Sequence, residues 1–386
     1  MMHSLLPKSV FNKMLKRQFI SLCLAATAIA GLGACQSVEA PPSASESPSA
    51  ADTAASATNT EELTTVRFTL SWLLQGVDAP LTLAIERGYF AEEGIEVVFE
   101  RGFGSADTAN KIAAGQYDMG FGDMYSMIEF NERNPDQKLV VVAVPYNKAP
   151  FALVTLKESG IDSVAEFEGK KLGAPAGDAP RRLWSVLADE VGVESESVEW
   201  VTMEPQLRES FLLQGEVDGI SGFIYSMLPS ILKGGKTLDD LNIFYYKDNG
   251  LDFYGNVVIA QPAFLEQNPD AVRGFLRAYM RGMQDVLRDP EAGLASVIAA
   301  GDELMDPEAE RLRLRLAIEN LLVNEEVRQF GLGTVDPARL ETTIQQTVEG
   351  FGLQQVPAID EVFVDDYLPP LEERQPPADS ELGALS

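Results

Sequence analysis

The sequence predicts an α/β protein of two lobes, with mixed sheets flanked by helices and a ligand cleft between the lobes. Three observations lead to this prediction. Strand and helix patterns alternate in residues 66–123, a short motif occurs twice, and the folded part extends from about residue 64 to about residue 370. That length exceeds an ordinary single domain, so we expect two lobes.

The alternation gives the order strand, helix, strand, helix, strand. Apolar residues at every second position predict the first strand, and Ser105 and Gly115 suit the start and the end of the second helix. This order is typical of a parallel sheet. The predicted elements are strands at 66–70, 96–100 and 119–121, and helices at 80–85 and 105–115.

Residues at the carboxyl ends of these strands are candidates for a binding site, because ligands of parallel sheets bind there. A tryptophan offers a flat apolar wall, and polar groups near it can read the hydrogen-bonding edge of a ligand. The candidates in this part of the chain are Trp72, Gln75, Asp78, Gly104, Ser105 and Asp123.

A short motif occurs in both predicted lobes. Residues 111–126 read KIAAGQYDMGFGDMYS, and residues 211–226 read FLLQGEVDGISGFIYS. Each has a helix that ends at glycine, an aspartate three residues later, a short strand and a turn with an aromatic residue. We interpret Asp118 and Asp218 as turn formers. Two similar lobes that face a shared cleft account for the repetition.

The chain is expected to cross between the lobes twice. Aliphatic strand patterns at 139–144 and 151–156 enclose the first crossing, which lies near Tyr146. The second crossing lies near Tyr254. Helical stripes of apolar residues after residue 262 are predicted to form the scaffold.

The second lobe offers a possible anion site. Asp178 suits an N-cap, and Arg181 and Arg182 follow it in the first turn of a predicted helix. A helix N-terminus with two arginines favours an anion. The alternative is that one or both arginine side chains are exposed to solvent and contact no ligand. Further candidates at strand ends and crossings are Tyr125, Tyr146, Glu204, Tyr225, Tyr254 and Asn256.

The aromatic candidates suit a flat ligand. Stacking on a base-like ring contributes roughly 1–3 kcal/mol per contact. Core packing is the alternative role of each ring, and the sequence alone does not separate the two.

The amino terminus has the pattern of an export signal. Basic residues precede an apolar stretch at 19–32 that is too short to span a membrane, and Leu32-Gly33-Ala34-Cys35 resembles the lipobox of bacterial lipoproteins. Cys35 would then carry the lipid, and the Ala-, Ser- and Pro-rich stretch after it would be a disordered tether. The predicted domains are a signal peptide at 1–34, the tether at 35–63, lobe 1 at 64–147 plus 255–370, lobe 2 at 148–254, and a mobile acidic tail at 371–386.

Composition excludes several classes of function. Export would remove His3 and Cys23 and lipidate Cys35, so the mature chain would lack the usual zinc ligands and nucleophile–base pairs. We therefore expect no metal, no cofactor and no enzyme activity. The net charge is -29, and removal of four basic residues with the signal peptide would leave about -33. Such acidity argues against nucleic acid and anionic lipid surfaces as partners.

Three runs carry a family resemblance: WLLQGVDAP from Trp72, ERGYFAEEGIEV from Glu86, and RGFGSADT from Arg101. Together they resemble bacterial solute-binding proteins similar to the thiamine-pyrimidine-precursor binders, within the nitrate, sulfonate and taurine binding superfamily. The resemblance extends from about Val66 to about Pro369. It implies a periplasmic-binding-protein-like fold of type II, with the two crossings as the hinge and Trp72 at a ligand-contact position.

The resemblance leaves four functions to compare. The first is capture of a small heterocycle, related to pyrimidine vitamin precursors, by a monomeric exported lipoprotein that serves an ABC permease and its ATPase. The second is capture of an anion such as a sulfonate, nitrate or a taurine-like solute. The third is a sensory lipoprotein. The fourth is an enzyme, but the eukaryotic relatives that make the thiamine pyrimidine depend on His and Cys, which the mature chain would lack.

Overall fold

The computed structural model describes residues 63–385, and residues 1–62 and 386 lie outside this range. The predicted signal peptide, Cys35 and the tether up to residue 62 therefore lie outside the described residues. Leu63 leads directly into the first strand.

The described residues form two five-stranded sheets. Their strands are β1 Thr64–Thr69, β2 Ile95–Glu100, β3 Met119–Gly122, β4 Val140–Ala143, β5 Phe151–Leu156, β6 Lys171–Ala174, β7 Glu199–Thr202, β8 Gly219–Phe223, β9 Leu241–Tyr245 and β10 Val257–Ala260. The first sheet has the order β2-β1-β3-β10-β4, and the second has the order β7-β6-β8-β5-β9.

Helices flank both sheets. They are α1 Ala79–Glu86, α2 Tyr89–Glu92, α3 Ser105–Ala113, α4 Met124–Arg133, α5 Ala179–Arg182, α6 Trp184–Val191, α7 Arg208–Leu213, α8 Ile224–Lys233, α9 Pro262–Gln267, α10 Pro269–Arg288, α11 Pro290–Ala300, α12 Pro307–Ala317, α13 Glu325–Phe330, α14 Pro337–Phe351 and α15 Ile359–Val362. Short 3₁₀ turns connect several of these elements.

The two sheets have the same topology. In each, three parallel strands continue into an antiparallel pair: β10 is antiparallel to β3 and β4, and β5 is antiparallel to β8 and β9. We call the sheet with β1 and its flanking helices lobe 1, and the sheet with β5 and its helices lobe 2. The predicted α/β architecture with mixed sheets is confirmed.

The repeated motif occupies equivalent positions in the two lobes. The carboxylate of Asp118 accepts a hydrogen bond from the backbone N–H of Arg67 on β1 at 2.8 Å, and that of Asp218 accepts one from Lys171 on β6 at 2.8 Å. Each aspartate thus ties the start of one strand to the strand beside it. Their role is structural in both lobes.

Two connections join the lobes, and one hydrogen-bond network holds both. Arg339 on α14 donates to the carbonyl of Phe253 at 2.8 Å and to Glu326 at 2.9 Å. Glu326 in turn accepts from Asn147 at 2.9 Å and from the hydroxyl of Tyr254 at 2.7 Å. The crossings predicted near 147 and 254 fall within these connections, and the lobe boundaries stay a prediction.

Aspartate followed by proline starts the carboxyl-terminal helices, as the sequence predicts. The carboxylate of Asp306 accepts from the backbone N–H of Glu308 at 3.0 Å, and that of Asp336 accepts from Ala338 at 2.8 Å. These helices touch both lobes, because α12 packs against α8 and α14 packs against α6. Arg313 on α12 donates to Ser230 on α8 at 2.8 Å.

The carboxyl-terminal segment contacts the rest of the described residues. The side chain of Arg374 donates to the carbonyls of Phe330 at 2.6 Å and Pro369 at 3.0 Å, and the N–H of Gly383 donates to the carbonyl of Leu287 at 2.9 Å. The mobility of the acidic tail at 371–386 stays a prediction.

Candidate functional site

The facing edges of the two lobes enclose a small space, which we call the inner cavity. Lobe 1 lines it with Ser71, Trp72, Gln75, Gly104 and Ser105. Lobe 2 lines it with Asp178, Arg208, Phe223, Tyr225 and Ser226. The free volume is about 20 Å³, room for about one water molecule, so the lobes are closed on each other.

Arg208 is the central charged group of the inner cavity. It is only 2 % exposed, and its guanidinium carbon lies 4.7 Å from the centre of the Trp72 ring. Nη2 donates to Glu209 at 2.6 Å, and Nη1 lies 3.7 Å from a carboxylate oxygen of Asp178. A planar cation therefore covers one face of Trp72, and two carboxylates balance its charge.

Asp178 ties the start of α5 to the neighbouring strand β8. Its carboxylate accepts from the N–H of Arg181 at 3.2 Å and from the hydroxyl of Ser221 at 2.7 Å. Burial raises the pKa of Asp178 to about 6, against the lowering effect of Arg208. The carboxyl is thus poised to accept or release a proton close to neutral pH.

Polar residues of lobe 1 form a second layer behind the cavity wall. Asn256 donates to the hydroxyl of Ser71 at 3.0 Å, and Asp123 accepts from the N–H of Ser126 at 2.7 Å. Burial raises the pKa of Asp123, although hydrogen bonds, among them one from Ser105, lower it. Oδ2 of Asp123 and Oδ1 of Asn256 are buried without a hydrogen-bond partner.

Asp78 lies behind Gln75 in a buried cluster. Its carboxylate accepts from the backbone N–H of Gln75 at 2.9 Å, while Glu310 accepts from Gly76 at 2.6 Å. Burial raises the pKa of Asp78 to about 7, and the nearby Glu310 raises it further against the hydrogen bond from Gln75. Gln75 itself donates to Ser226 of lobe 2 at 3.0 Å.

A second, larger space opens at one mouth of the cleft, and we call it the outer cavity. Its volume is about 590 Å³. Across it, Arg182 of lobe 2 donates to both carboxylate oxygens of Glu129 of lobe 1 at 2.6 Å. Arg133 pairs with the same carboxylate at 2.7 Å from within α4. Glu204 lies exposed at the rim.

A family model described as NMT1/THI5 like matches residues 76–293, which include most of both sheets and most of the inner cavity. The chain belongs to this family. The predicted resemblance is thereby confirmed at the level of the family.

Proteins similar to this chain include some named as binding proteins and some named as synthases. The chain is 26% identical to a formylaminopyrimidine-binding protein of Halalkalibacterium halodurans over 69% of the chain and 80% of that protein. It is 26% identical to the riboflavin-binding protein RibY of Chloroflexus aurantiacus over 83% of the chain and 91% of that protein. A 4-amino-5-hydroxymethyl-2-methylpyrimidine phosphate synthase of Legionella pneumophila is 23% identical over 65% of the chain and 78% of that protein.

Solved structures share the fold. The alkanesulfonate-binding protein SsuA of Xanthomonas axonopodis superposes with a TM-score of 0.61 at 12% identity, over 80% of this chain and 98% of that chain. The nitrate-binding protein NrtA of Synechocystis superposes with a TM-score of 0.56 at 13% identity, over 79% and 87%. The predicted periplasmic-binding-protein-like fold is confirmed.

Some predicted site residues lie in the core of the family fold instead of on the inner cavity. Tyr125 stacks on Phe253 at 4.1 Å, and its hydroxyl accepts from the backbone N–H of Tyr254. The hydroxyl of Tyr254 belongs to the crossing network described above. Tyr146 is buried behind Tyr225, edge-on at 6.2 Å. Six of the predicted residues line the inner cavity itself: Trp72, Gln75, Gly104, Ser105, Asp178 and Tyr225.

Arg208 is the residue that the sequence analysis missed. It stands at the first position of α7, where a positive charge is unfavourable beside the helix dipole. This unfavourable position of a positive charge is the signal in the sequence that indicates a role for Arg208 other than exposure to solvent. Neither Ser71 nor Ser226 carries a comparable signal.

Among residues 63–385, no helix is both long enough and apolar enough to cross a bilayer. Within the same range, no three His, Cys, Asp or Glu side chains are grouped so that they could hold a metal ion.

Replacing Asp78 by Asn should make stability less dependent on pH. The pKa of about 7 in the folded protein exceeds the ordinary 3.8, so the folded state binds more protons between about pH 4 and pH 7. Stability therefore falls as pH rises through this window. Asn keeps an acceptor for Gln75 but carries no charge, so the variant should gain about 2–4 kcal/mol over the parent between pH 4 and pH 8. Urea unfolding at several pH values measures this difference.

Asp240→Asn is the control, since that carboxylate is exposed and accepts from Thr237. These hydrogen bonds lower the pKa of Asp240 below its ordinary value. The control should therefore lose stability relative to the parent as pH rises, which is the opposite sign. If stability depends on pH in the same way in Asp78→Asn and in the parent, burial does not raise the pKa of the Asp78 carboxyl.

Arg182→Gln should shift the unliganded protein towards an open form. The variant removes a charge-assisted contact between the lobes, which we expect to contribute about 1–3 kcal/mol to closure. Small-angle X-ray scattering should show a larger radius of gyration. Arg133→Gln is the matched control, because Arg133 pairs with the same carboxylate of Glu129 but lies in the same lobe. Equal effects of the two variants would contradict a role in closure.

Proposed function

We propose that this protein is the solute-binding component of an ABC importer and that it captures a small flat heterocycle by closure of its lobes. The observation that carries the proposal is the slot beside Trp72, where the planar guanidinium of Arg208 covers the ring at 4.7 Å. A flat conjugated ring fits the same geometry. The remaining space holds only about one water molecule, so the lobes must part before a ligand enters.

The charge of the inner cavity favours a neutral or weakly basic ligand over an anion. Arg208 is balanced by Glu209 at 2.6 Å and by Asp178 at 3.7 Å. Arg182, which the sequence analysis predicted as an anion contact together with Arg181, is paired with Glu129. A sulfonate or nitrate ion would have to compete with these carboxylates, so the anion alternative has less support.

The inner cavity also offers acceptors to a ligand that carries N–H donors. Ser71 and Ser105 line it, and a hydroxyl oxygen has two lone pairs that can accept hydrogen bonds. Family members named for formylaminopyrimidine and riboflavin point to nitrogen heterocycles of this kind.

We propose that the protein binds its ligand and does not convert it to a product. Some family members are named as synthases, but this chain has neither histidine nor cysteine after residue 35. A general base near neutral pH would have to be a carboxyl group such as Asp178. That carboxyl already accepts hydrogen bonds from Arg181 and Ser221.

The amino terminus completes the proposal. We propose that residues 1–34 direct export, that Cys35 carries a lipid anchor, and that the tether holds the lobes near the membrane. The protein would work as a monomer on the periplasmic or outer face of a membrane, beside its permease and ATPase. No cofactor or metal is part of this proposal.

Trp72→Ala should weaken ligand binding by roughly 10–100-fold, because a stacking contact of about 1–3 kcal/mol is lost. A thermal-shift screen of aminopyrimidines, thiamine, flavins, nucleobases, sulfonates and nitrate identifies the ligand, and titration calorimetry measures the change in Kd. Trp200→Ala is the matched control. Trp200 also lies under an arginine, Arg181 at 5.1 Å, but it does not line the inner cavity.

The control should bind as the parent does. If only anions bind, and if Trp72→Ala binds them as tightly as the parent does, the heterocycle proposal is overturned in favour of the anion alternative. A product formed from any bound heterocycle would overturn the proposal of binding without chemistry.

Cys35→Ser should release the protein from the membrane. The hydroxyl cannot form the thioether that links the lipid, so the precursor should remain unlipidated. In a bacterial host, detergent phase partitioning with Triton X-114 should move the variant from the detergent phase to the aqueous phase. Cys23→Ser, which alters the predicted signal peptide, should leave partitioning unchanged. Parent protein in the aqueous phase would contradict the lipid anchor.

A further inference from the structure

A further space, which we call the hinge pocket, lies beside the two crossings and the end of α12. Its volume is about 290 Å³. Its apolar walls come from the first crossing, from lobe 2 and from the α12 segment: Ala149, Pro150, Ile224, Leu316 and Leu321. Of the site residues predicted from the sequence, only Tyr225 lines it. The proposed function gives this space no role.

Parts of both lobes form the hinge pocket. Leu321 belongs to the hydrophobic core that includes Phe68 on β1, whereas Ile224 belongs to the core that includes Val154 on β5. Tyr225 lines both the hinge pocket and the inner cavity, and the described linings of the two spaces have no other residue in common. The hinge pocket is therefore a neighbour of the inner cavity and not a part of it.

An irregular helical turn borders the pocket. Residues Ile318–Leu322 continue α12 as a π-helical turn, a feature that is frequent at functional sites. Asn320 and Leu321 of this turn line the pocket, and Nδ2 of Asn320 donates to the carbonyl of Leu316 at 2.9 Å. The wider turn brings Leu316 and Leu321, five residues apart in the sequence, to the same space.

The size and the walls of the pocket suit an aromatic ring. The rings of Tyr225 and Tyr245 add to the aliphatic side chains around it. A cavity of about 150 Å³ lined by apolar side chains holds benzene. A space of about 290 Å³ therefore has room for a fused bicyclic ring, or for a single ring with a short side chain.

Lys247 gives the rim of the pocket a positive charge. Its side chain is exposed, and Nζ lies 5.2 Å from the centre of the Tyr245 ring. The other charged lining residues, Lys148 and Asp252, pair with each other at 3.0 Å. Lys247 forms no salt bridge with any residue between 63 and 385. An anionic group on a bound molecule would balance its charge.

We infer that the hinge pocket is a second binding site, which takes a small aromatic carboxylate. The ring lies between the apolar walls, and the carboxylate lies at the rim beside Lys247. This inference does not depend on which ligand occupies the inner cavity.

Matched acids and amides test the inference by titration calorimetry on the purified protein. Phenylacetate, 3-phenylpropionate and indole-3-acetate are each compared with the corresponding amide, which keeps the shape and removes the charge. At least one acid should bind with a Kd below about 1 mM and roughly 2–5-fold more tightly than its amide, because an exposed ion pair contributes modestly. Added salt should weaken binding of the acid alone. If none of the three acids binds, the inference is wrong.

A charge variant tests the role of Lys247. Lys247→Gln should weaken binding of the acid by roughly 2–5-fold and leave binding of its amide unchanged. Lys157→Gln is the matched control, because Lys157 is an exposed lysine of lobe 2 that does not line the pocket. Equal losses in the two variants would show that the net charge of the protein, and not a contact with Lys247, favours the acid.

An apolar variant tests the position of the ring. Ile224→Ala should weaken binding of the acid and of its amide alike, by roughly 3–10-fold, because part of the apolar wall is lost. Ile243→Ala is the control, since Ile243 packs against the same core of lobe 2 but does not line the pocket. If Trp72→Ala weakens binding of the acid and Ile224→Ala does not, the acid binds in the inner cavity and its placement in the hinge pocket is wrong.

Discussion

The buried charge of Arg208 is the constraint around which the two lobes close. A guanidinium removed from water is costly unless carboxylates balance it, and here Glu209 and Asp178 do so. Asp178 also caps α5 and accepts from Ser221, so the charge balance is tied to the backbone of lobe 2. Trp72 of lobe 1 completes the group by offering its ring face to the cation. Lobe closure and the shape of the binding slot thus depend on the same few atoms.

Local patterns predicted most of the fold. Alternating apolar residues located strands of lobe 1, and helical stripes of apolar residues located helices. The motif repeated at 111–126 and 211–226 contains β3 and β8, which hold equivalent places in two sheets of the same topology. The contacts of the carboxyl-terminal segment could not be predicted in the same way. Arg374 donates to the carbonyl of Phe330 on α13, 44 residues away in the sequence, and composition carries no record of such a contact.

The site was predictable only in part, for a related reason. The rule that ligands bind at the carboxyl ends of strands found Trp72, Ser105 and Asp178. It does not separate Tyr225, which faces the inner cavity, from Tyr125, which is stacked in the core. Both tyrosines lie near the end of the repeated motif, and only the tertiary packing places Tyr225 on the inner cavity and Tyr125 against Phe253.

Side-chain contacts across the cleft accompany the closed arrangement of the lobes. Gln75 of lobe 1 donates to Ser226 of lobe 2, and Arg182 of lobe 2 pairs with Glu129 of lobe 1. The network of Arg339 and Glu326 that holds the two crossings includes neither of these pairs. Under the proposed function, a ligand that touches both lobes gains contacts only in the closed form. Its differential affinity for that form would then set the balance between open and closed lobes.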